Sequence, residues 1–375
     1  MKTENEVFSD KIEGFIHSED ITNSVIGYLS MMPKLQKGFL VRQFIIFHKK
    51  DLSEVILEKM ANGANFFIEQ RLGNFFTIQY KSRDTNRREK AFIIILPSSS
   101  KNISRITSIS DSFFWNNVIK RNIKKFYPDA MPVFFRQSEI EQALYKLEKG
   151  LGYQFRIRIA DVTVKEERNQ KTKSQFKRLD TQRWWTELPI SEVFSQAQEK
   201  NQWFSGVRFV IQKRVKNSDQ FVSQSTGRLS KFGELSIDSF YSEITTHLLS
   251  ELESQASRRL STLDGRSLRE RDYVPVKPIE IRFEQDVFSN IEEIHRFGDI
   301  VTAYPNSTKA VFHSNPYYHA SVADFIDGSS FEVWILSLNK VILLPQAKSS
   351  AQAFERFISH VSSNFYEGVV DEYQN

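Results

Sequence analysis

The 375-residue sequence predicts an α+β fold with mixed helices, mainly antiparallel sheets and two domains. Segments with a helical spacing of apolar residues alternate with segments rich in β-branched and aromatic residues, which indicates both kinds of secondary structure. Towards the C-terminus, strand-length segments follow one another with short turns between them, as in antiparallel hairpins. Because a single hydrophobic core rarely grows beyond about 250–300 residues, we place two domains at residues 1–150 and 151–375.

The first predicted domain mixes helices with strands and closes on two helices. Asp51 is positioned to cap the second helix, and Phe114, Val118 and Phe126 share one face of a later one. The polar segment 81–90 has the composition of a hairpin loop. The predicted elements are a helix at 21–32, a strand at 39–47, a helix at 51–60, strands at 65–70, 75–80 and 91–97, and helices at 111–126 and 138–151.

The second predicted domain opens with a strand in which Arg156 and Arg158 alternate with Phe155, Ile157 and Ile159. A polar, basic tract follows, which we interpret as an extended loop. The predicted elements are a strand at 153–164, a loop at 165–183, a helix at 189–200, a strand at 203–215, a helix at 240–260, a linker at 261–272, strands at 276–283, 310–313, 320–326, 331–338 and 340–345, and a helix at 350–365.

Composition excludes several classes of chemistry. Hydrophobic residues make up 40% of the chain and Phe occurs 32 times, which is ample for packed cores, but there is no Cys. Disulfides, thiolate zinc sites, iron–sulfur clusters and Cys nucleophiles are therefore excluded. The charged N-terminus lacks the apolar core of a signal peptide, and no apolar run reaches the roughly 20 residues of a membrane span. We expect a cytoplasmic protein with no membrane partner.

Positive charge is concentrated in the middle of the chain. Residues 156–231 contain 16 Lys and Arg against 8 Asp and Glu, a net charge of +8, whereas the whole chain carries only +5. Phosphate contacts need Lys and Arg, and exposed aromatic rings can stack on unpaired bases. The candidate nucleic-acid-binding residues are Lys171, Lys173, Lys177, Arg178, Arg183, Trp184 and Trp185, extended by Lys213, Arg214 and Lys216, and further by Arg228 and Lys231, if the strands fold back as a hairpin.

The same pattern has two other interpretations. The basic tract is also typical of a solvated loop followed by two Trp that face the core, or of a surface for an acidic protein partner. Whether Trp184 and Trp185 are exposed separates these alternatives, and the sequence leaves that open.

The segment 313–330 gathers two His, two Asp and several Ser. A weak resemblance in spacing to the acid–acid–Lys arrangement of restriction-type nucleases nominates Asp324, Glu332 and Lys340, with Asp324 as a ligand of Mg or Mn. The match is loose, because Trp334 stands where the Lys is expected. The alternative for Asp327 is a hairpin turn, since Asp-Gly-Ser-Ser lies between two apolar runs.

Other catalytic patterns fail. The sequence has no phosphate-binding P-loop, no dinucleotide-binding G-x-G-x-x-G, no H-E-x-x-H and no G-x-S-x-G. The favoured hypothesis is therefore a non-enzymatic, nucleic-acid-associated accessory subunit that binds DNA or RNA, needs no cofactor and works with other protein subunits. The alternatives are a Mg- or Mn-dependent nuclease, or a protein–protein scaffold.

Neutralising Lys171, Lys173, Lys177 and Arg178 together should weaken nucleic-acid binding and flatten its salt dependence, because a protein that neutralises fewer phosphates releases fewer counterions. The measurement is fluorescence anisotropy with labelled DNA and RNA at two salt concentrations. An unchanged affinity and salt slope would remove this tract from the binding surface.

Overall fold

The computed structural model describes residues 21–31, 34–35, 39–63, 65–81, 88–167, 179–199, 202–264, 277–314, 317–346 and 348–373. These residues form an α+β fold of helices and two antiparallel sheets, which confirms the predicted fold class. No helix in these ranges combines the length and apolar character that crossing a bilayer requires.

The first sheet has twelve strands among the described residues. They are β1 (Leu40–His48), β2 (Asn62–Gly63), β3 (Phe66–Leu72), β4 (Phe75–Lys81), β5 (Arg88–Pro97), β6 (Ile103–Ser110), β7 (Ala130–Pro132), β8 (Phe155–Glu167), β9 (Leu179–Leu188), β10 (Trp203–Arg214), β11 (Phe221–Ser230) and β12 (Glu234–Ile237). Their order is β2-β3-β4-β5-β6-β1-β12-β11-β10-β8-β9, with β7 paired to β1.

Helices α1 to α6 belong wholly or in part to the same unit. They are α1 (Ile21–Met31), α2 (Leu52–Met60), α3, α4 (Gln137–Leu151), α5 (Ile190–Glu199) and α6. Helix α3 has the consecutive segments Ser112–Phe114, Trp115–Lys120, Arg121–Ile123 and Lys124–Phe126, the second of which is a wide π-type turn. Helix α6 has the segments Tyr241–Glu243, Ile244–Leu249 and Ser250–Asp264.

Helices α2 and α3 pack on one side of the first sheet. Helix α2 starts at Asp51, whose carboxylate accepts from the backbone N–H groups of Ser53 and Glu54, as the sequence predicts. Trp115 anchors α3: its ring stacks on Phe44 of β1 at 5.1 Å, and its Nε1–H donates to Glu234 of β12 at 2.8 Å. Apolar side chains of β4, β5 and β6 complete the core beneath the two helices.

Helices α4 and α6 approach closely at Gly150, where an added Cβ would lie 2.4 Å from the ring of His247. Glu253 of α6 binds Arg105 of β6 at 3.0 Å, and both side chains are buried. Helix α6 is therefore tied both to a neighbouring helix and to the sheet.

The second sheet consists of β13 (Ile279–Phe283), β14 (Ser307–Ser314), β15 (Tyr318–Asp324), β16 (Ser329–Ser337), β17 (Lys340–Pro345) and β18 (Gly368–Glu372). Their order is β14-β15-β16-β17-β13-β18. Helices α7 (Ile291–Thr302) and α8 (Ala351–Asn364) accompany this sheet. Phe331 of β16 contacts Phe354 and Phe357 of α8, which gives the second unit its own aromatic core.

The chain divides into two compact units, the first ending at Ser254 and the second starting at Gln255. The described parts of 165–182 and 200–203 group with the second unit. The predicted boundary at residue 150 does not coincide with this division. Strand β12 pairs with β1 and thereby joins β8 to β11 to the sheet, a long-range pairing that local sequence patterns do not reveal.

Several elements differ from their prediction. The predicted loop 165–183 includes the start of strand β9, because Leu179–Leu188 pairs at the edge of the sheet. Strand β6 (ISRITSIS) is buried along its whole length although it contains Ser, Arg and Thr, so its polarity hides it from a hydrophobicity pattern. Strands β11 and β18 and helix α7 were also absent from the prediction.

A half-buried histidine makes the stability of the second unit depend on pH. His360 of α8 donates through Nε2 to the Ile300 carbonyl of α7 at 2.8 Å. Burial lowers its pKa from the ordinary 6.5; the hydrogen bond partly opposes this, and Lys309 and Lys165 lower it further. The unfolded state therefore takes up a proton first as the pH falls, so stability is complete above about pH 6.5 and declines below it.

We expect His360→Gln, which keeps a donor for the Ile300 carbonyl, to lose less stability than wild type between pH 7 and pH 5. The difference should not exceed about 1.4 kcal/mol per pH unit. Chemical denaturation at a series of pH values measures it. His295→Gln, at an exposed position of α7, is the matched control, and parallel curves for wild type and His360→Gln would contradict the assignment.

Candidate nucleic-acid interface

Five arginines gather on the adjacent strands β9, β8, β10 and β11 of the first sheet. We call them the arginine face: Arg183 of β9, Arg156 and Arg158 of β8, Arg208 of β10 and Arg228 of β11. Arg156 and Arg158 project to the same side because side chains alternate along a strand. Arg208 and Arg228 are direct cross-strand partners, which also places them on one side.

Asp161 of β8 holds two of these arginines. Arg183 binds it with two hydrogen bonds, Nε to Oδ1 at 2.7 Å and Nη2 to Oδ2 at 2.8 Å. The Nε of Arg208 lies 2.5 Å from Oδ2. The carboxylate is only 1% exposed, whereas the two arginine side chains are 39% and 33% exposed. A buried anion thus fixes two guanidiniums that reach the surface, and the bond to Asp161 raises the pKa of Arg183.

Trp185 lies over this pair. The guanidinium carbons of Arg183 and Arg208 are 4.4 and 4.8 Å from its ring, within the range of cation–π contacts. The indole is nevertheless 66% exposed. Alternation along β9 places Arg183, Trp185 and Glu187 on the same side of the strand.

The remaining arginines lie beside polar and aromatic groups. Arg156 donates through Nε to Gln212 at 2.9 Å and stacks over Phe221 at 3.7 Å. Its pKa is lowered by desolvation and by the like charge of Arg158. Arg228 reaches Thr163 at 3.4 Å. These partners of Arg156 and Arg228 are neutral, so an added anion would relieve the repulsion between Arg156 and Arg158.

The arginine face continues the side of the sheet that α3 covers. Arg228 is in register with Ser236, and Ser236 is in register with Arg42 of β1, so all three project to one side. Phe44, two residues after Arg42, points the same way and stacks on Trp115 of α3. Helix α3 therefore covers this side at β1, and arginines occupy it at β8 to β11.

The structure separates the two predicted tryptophans. Trp185 is exposed on the arginine face, whereas Trp184 is half-buried and has the opposite parity on β9. The sequence nominated both. Of the two rings, the one that a ligand on this face could reach is that of Trp185.

The structure also places the predicted cations after Trp185. Strands β10 and β11 do fold back as an antiparallel hairpin. Arg214 is bound by Asp219 and by the Ser218 carbonyl, and Lys216 is exposed in the turn. Lys213 lies near the Phe155 ring, on the opposite parity from Gln212, and thus away from the arginine face.

Lys231 is buried, with its ammonium 5.6 Å from the ring of Phe134. The nominated Lys171, Lys173, Lys177 and Arg178 lie outside the described residues.

Sequence reasoning did not nominate Arg156, Arg158 or Arg208. The alternation of Arg156 and Arg158 with apolar residues was visible and indicates an outward-facing pair. Arg208 joins them through tertiary contacts, namely its ion pair with Asp161 and its register with Arg228. No local pattern predicts that pairing.

Asp324, the predicted metal ligand, is engaged in a buried ion pair. It is fully buried and accepts from the Tyr304 hydroxyl at 2.6 Å and from Arg356 at 3.1 and 2.9 Å. Burial raises the pKa of Tyr304, and the charge of Asp324 raises it further. Burial alone would lower the pKa of Arg356, but its neighbours Tyr304, Asp324 and Asp327 raise it.

Glu332 and Lys340 do not join Asp324. Asp324 belongs to the buried positions of β15, whereas Glu332 is a half-buried position of β16 that accepts from His319, Trp334 and Gln346. Lys340 binds Glu280 at 3.1 Å. In the described parts of the chain, no three His, Asp or Glu side chains lie close enough to hold a metal ion.

Asp327 occupies the turn that the alternative interpretation predicts. It accepts from the backbone N–H of Ser329 at 3.0 Å, and the following Gly328 has a φ of +71°. Hydrogen bonds from Ser350 and Ser329 together with Arg356 lower its pKa, although burial acts in the other direction.

Comparisons with known proteins give no indication of function, so the function is inferred from the geometry of the arginine face. No protein-family model matches the chain. No curated protein is significantly similar to it.

Asp324→Ala should destabilise the second unit by about 3–5 kcal/mol, because it leaves the buried Arg356 without its main counter-charge. Arg356→Met added to Asp324→Ala should recover part of that loss by removing the unpaired guanidinium. Urea denaturation measures both. A metal-ligand role predicts instead that Asp324→Ala keeps the wild-type stability, so that outcome would restore the nuclease hypothesis.

Proposed function

We propose that this protein is a non-enzymatic, nucleic-acid-binding accessory subunit and that the arginine face is its contact surface. The observation that carries the proposal is that five arginines and an exposed Trp lie on one side of the first sheet. Guanidinium groups bind phosphate oxygens in a bidentate manner and remain charged at any physiological pH.

The size of the arginine face fits a polyanion better than a single phosphate. Adjacent strands lie about 4.8 Å apart, so the four strands from β9 to β11 spread the guanidiniums over about 14 Å. Within β8, Arg156 and Arg158 lie about 7 Å apart along the strand. A chain of phosphates offers charges at several points along such a surface, whereas one small anion meets only one or two.

The local charge balance is positive. Asp161 binds two of the arginines and Glu187 lines the cavity beside them, so these two carboxylates offset two of the five positive charges and leave three. Asp161 is almost fully buried, so an approaching ligand meets mainly the guanidiniums. Sequence-independent affinity of this kind arises from the release of counterions from the nucleic acid.

Protein partners and a cytoplasmic location complete the proposal. Exposed apolar side chains on the second unit support a protein partner, among them Phe312 at 60%, Leu336 at 52% and Leu338 at 53% exposure. The nuclease alternative has no comparable support, because Asp324, Glu332 and Lys340 are each engaged by other residues.

Replacing Arg158 and Arg228 with Gln should weaken binding to DNA and RNA and reduce the salt slope by about 0.7–0.9 for each phosphate that is no longer neutralised. These two arginines are chosen because Arg183 and Arg208 also neutralise Asp161, and replacing them would disturb the fold. Fluorescence anisotropy as a function of salt measures the slope.

The matched control is Lys101→Gln with Lys277→Gln, which removes the same charge from exposed positions outside the arginine face. If the arginine and lysine variants weaken binding equally, net charge alone explains the affinity and the arginine face is not the site. Binding at wild-type strength by the arginine variant would have the same meaning.

A further inference from the structure

A cavity opens on the arginine face beside Trp185. Its volume is about 390 Å³, and its lining includes Arg158, Trp185, Glu187, Arg208 and Gln212. Pockets that hold small organic ligands have volumes of about 300–1,000 Å³, so this one is large enough for one base with its sugar and phosphate. It is too small for the stacked base pairs of a duplex.

The two arginines beside Trp185 leave part of its ring open to the cavity. Arg183 and Arg208 both bind Oδ2 of Asp161, through nitrogens that lie 2.8 and 2.5 Å from it. Each guanidinium carbon is one C–N bond further away, about 1.3 Å, so the two carbons are at most about 8 Å apart. Guanidiniums directly opposite each other across the ring would be about 9 Å apart, the sum of their distances from it. The two cations therefore do not sandwich the indole, consistent with its 66% exposure.

The polar groups around the cavity include both hydrogen-bond donors and hydrogen-bond acceptors. Arg158 and Arg208 donate, Glu187 accepts, and the Gln212 amide does both. A free phosphate would use the arginines but would be repelled by Glu187. A nucleotide matches the set more fully, because its phosphate accepts, its base edge carries donors and acceptors, and its base has a π face for the indole.

We propose that this cavity binds the base of an unpaired nucleotide, stacked on Trp185, while the flanking phosphate contacts Arg158. The inference rests on the proposed function and narrows it to single-stranded or locally unpaired nucleic acid. In a duplex both faces of each base are covered by its neighbours, so Trp185 would have no partner. Stacking of this kind tolerates any base, since every base has a π face.

The test compares a labelled single-stranded oligonucleotide with an abasic strand of the same length, which keeps the phosphates and lacks the bases. Wild type should bind the base-bearing strand more tightly than the abasic strand and more tightly than the matched duplex. Trp185→Ala should lose about 5- to 150-fold in affinity for the base-bearing strand and nothing for the abasic strand.

Two further variants guard against a merely structural effect. Trp185→Phe keeps a smaller aromatic face and should retain part of the preference for bases. Phe325→Ala removes an aromatic ring of the same exposure, 66%, from the second unit and should leave all affinities unchanged. A nucleoside monophosphate added as competitor shows whether a free nucleotide also enters the cavity. If it displaces the base-bearing strand and does not displace the abasic strand, the cavity is a nucleotide site.

The outcomes separate the two proposals. Equal wild-type affinity for base-bearing and abasic strands, or an equal loss on both in Trp185→Ala, overturns the base-binding inference while the arginine face remains a phosphate-binding surface. Tighter binding of the duplex than of the single strand overturns it as well. No binding of any probe by wild type refutes the proposed function, and the inference with it.

Discussion

The buried carboxylate of Asp161 organises the candidate surface. A charge removed from water is tolerated only when partners compensate it, and here Arg183 and Arg208 do so from the strands on either side. The ion pairs therefore join β9, β8 and β10 at one level of the sheet. They also fix two long, otherwise flexible side chains, and Trp185 rests on the platform that those side chains form.

The five arginines consequently divide into two groups. Arg183 and Arg208 are held in place by Asp161 and support the indole ring. Arg156, Arg158 and Arg228 add positive charge on β8 and β11 that Asp161 does not neutralise, and the effect of Arg158 on the pKa of Arg156 reflects the proximity of like charges. The first group fixes the shape of the surface, and the second leaves positive charge that a bound anion would neutralise. A surface of this kind needs little rearrangement to accept a polyanion, which limits the entropic cost of binding.

The sequence predicted local features well and long-range ones poorly. Patterns of a few residues predict the cap at Asp51 and the helix over 190–199. They also predict that Arg156 and Arg158, which alternate with apolar residues, face outward. The link between Asp161 and Arg208, the exposure of Trp185 rather than Trp184, and the burial of Asp324 against Arg356 depend on tertiary pairing. For that reason the arginine face lies inside the basic region 156–231 that the sequence indicates, whereas its individual residues were identified only in part.

Within the described residues, helix α3 packs on this side of the sheet at β1 and does not extend over the arginines of β8 to β11. The exposed arginines therefore affect how the protein behaves in solution. An uncovered sheet face invites another sheet to stack on it, and like charges distributed across that face make such stacking unfavourable. A bound polyanion would cancel this repulsion. Solubility should then pass through a minimum near charge balance and recover when either component is in excess, so the stoichiometry of mixing would decide whether the complex stays dispersed.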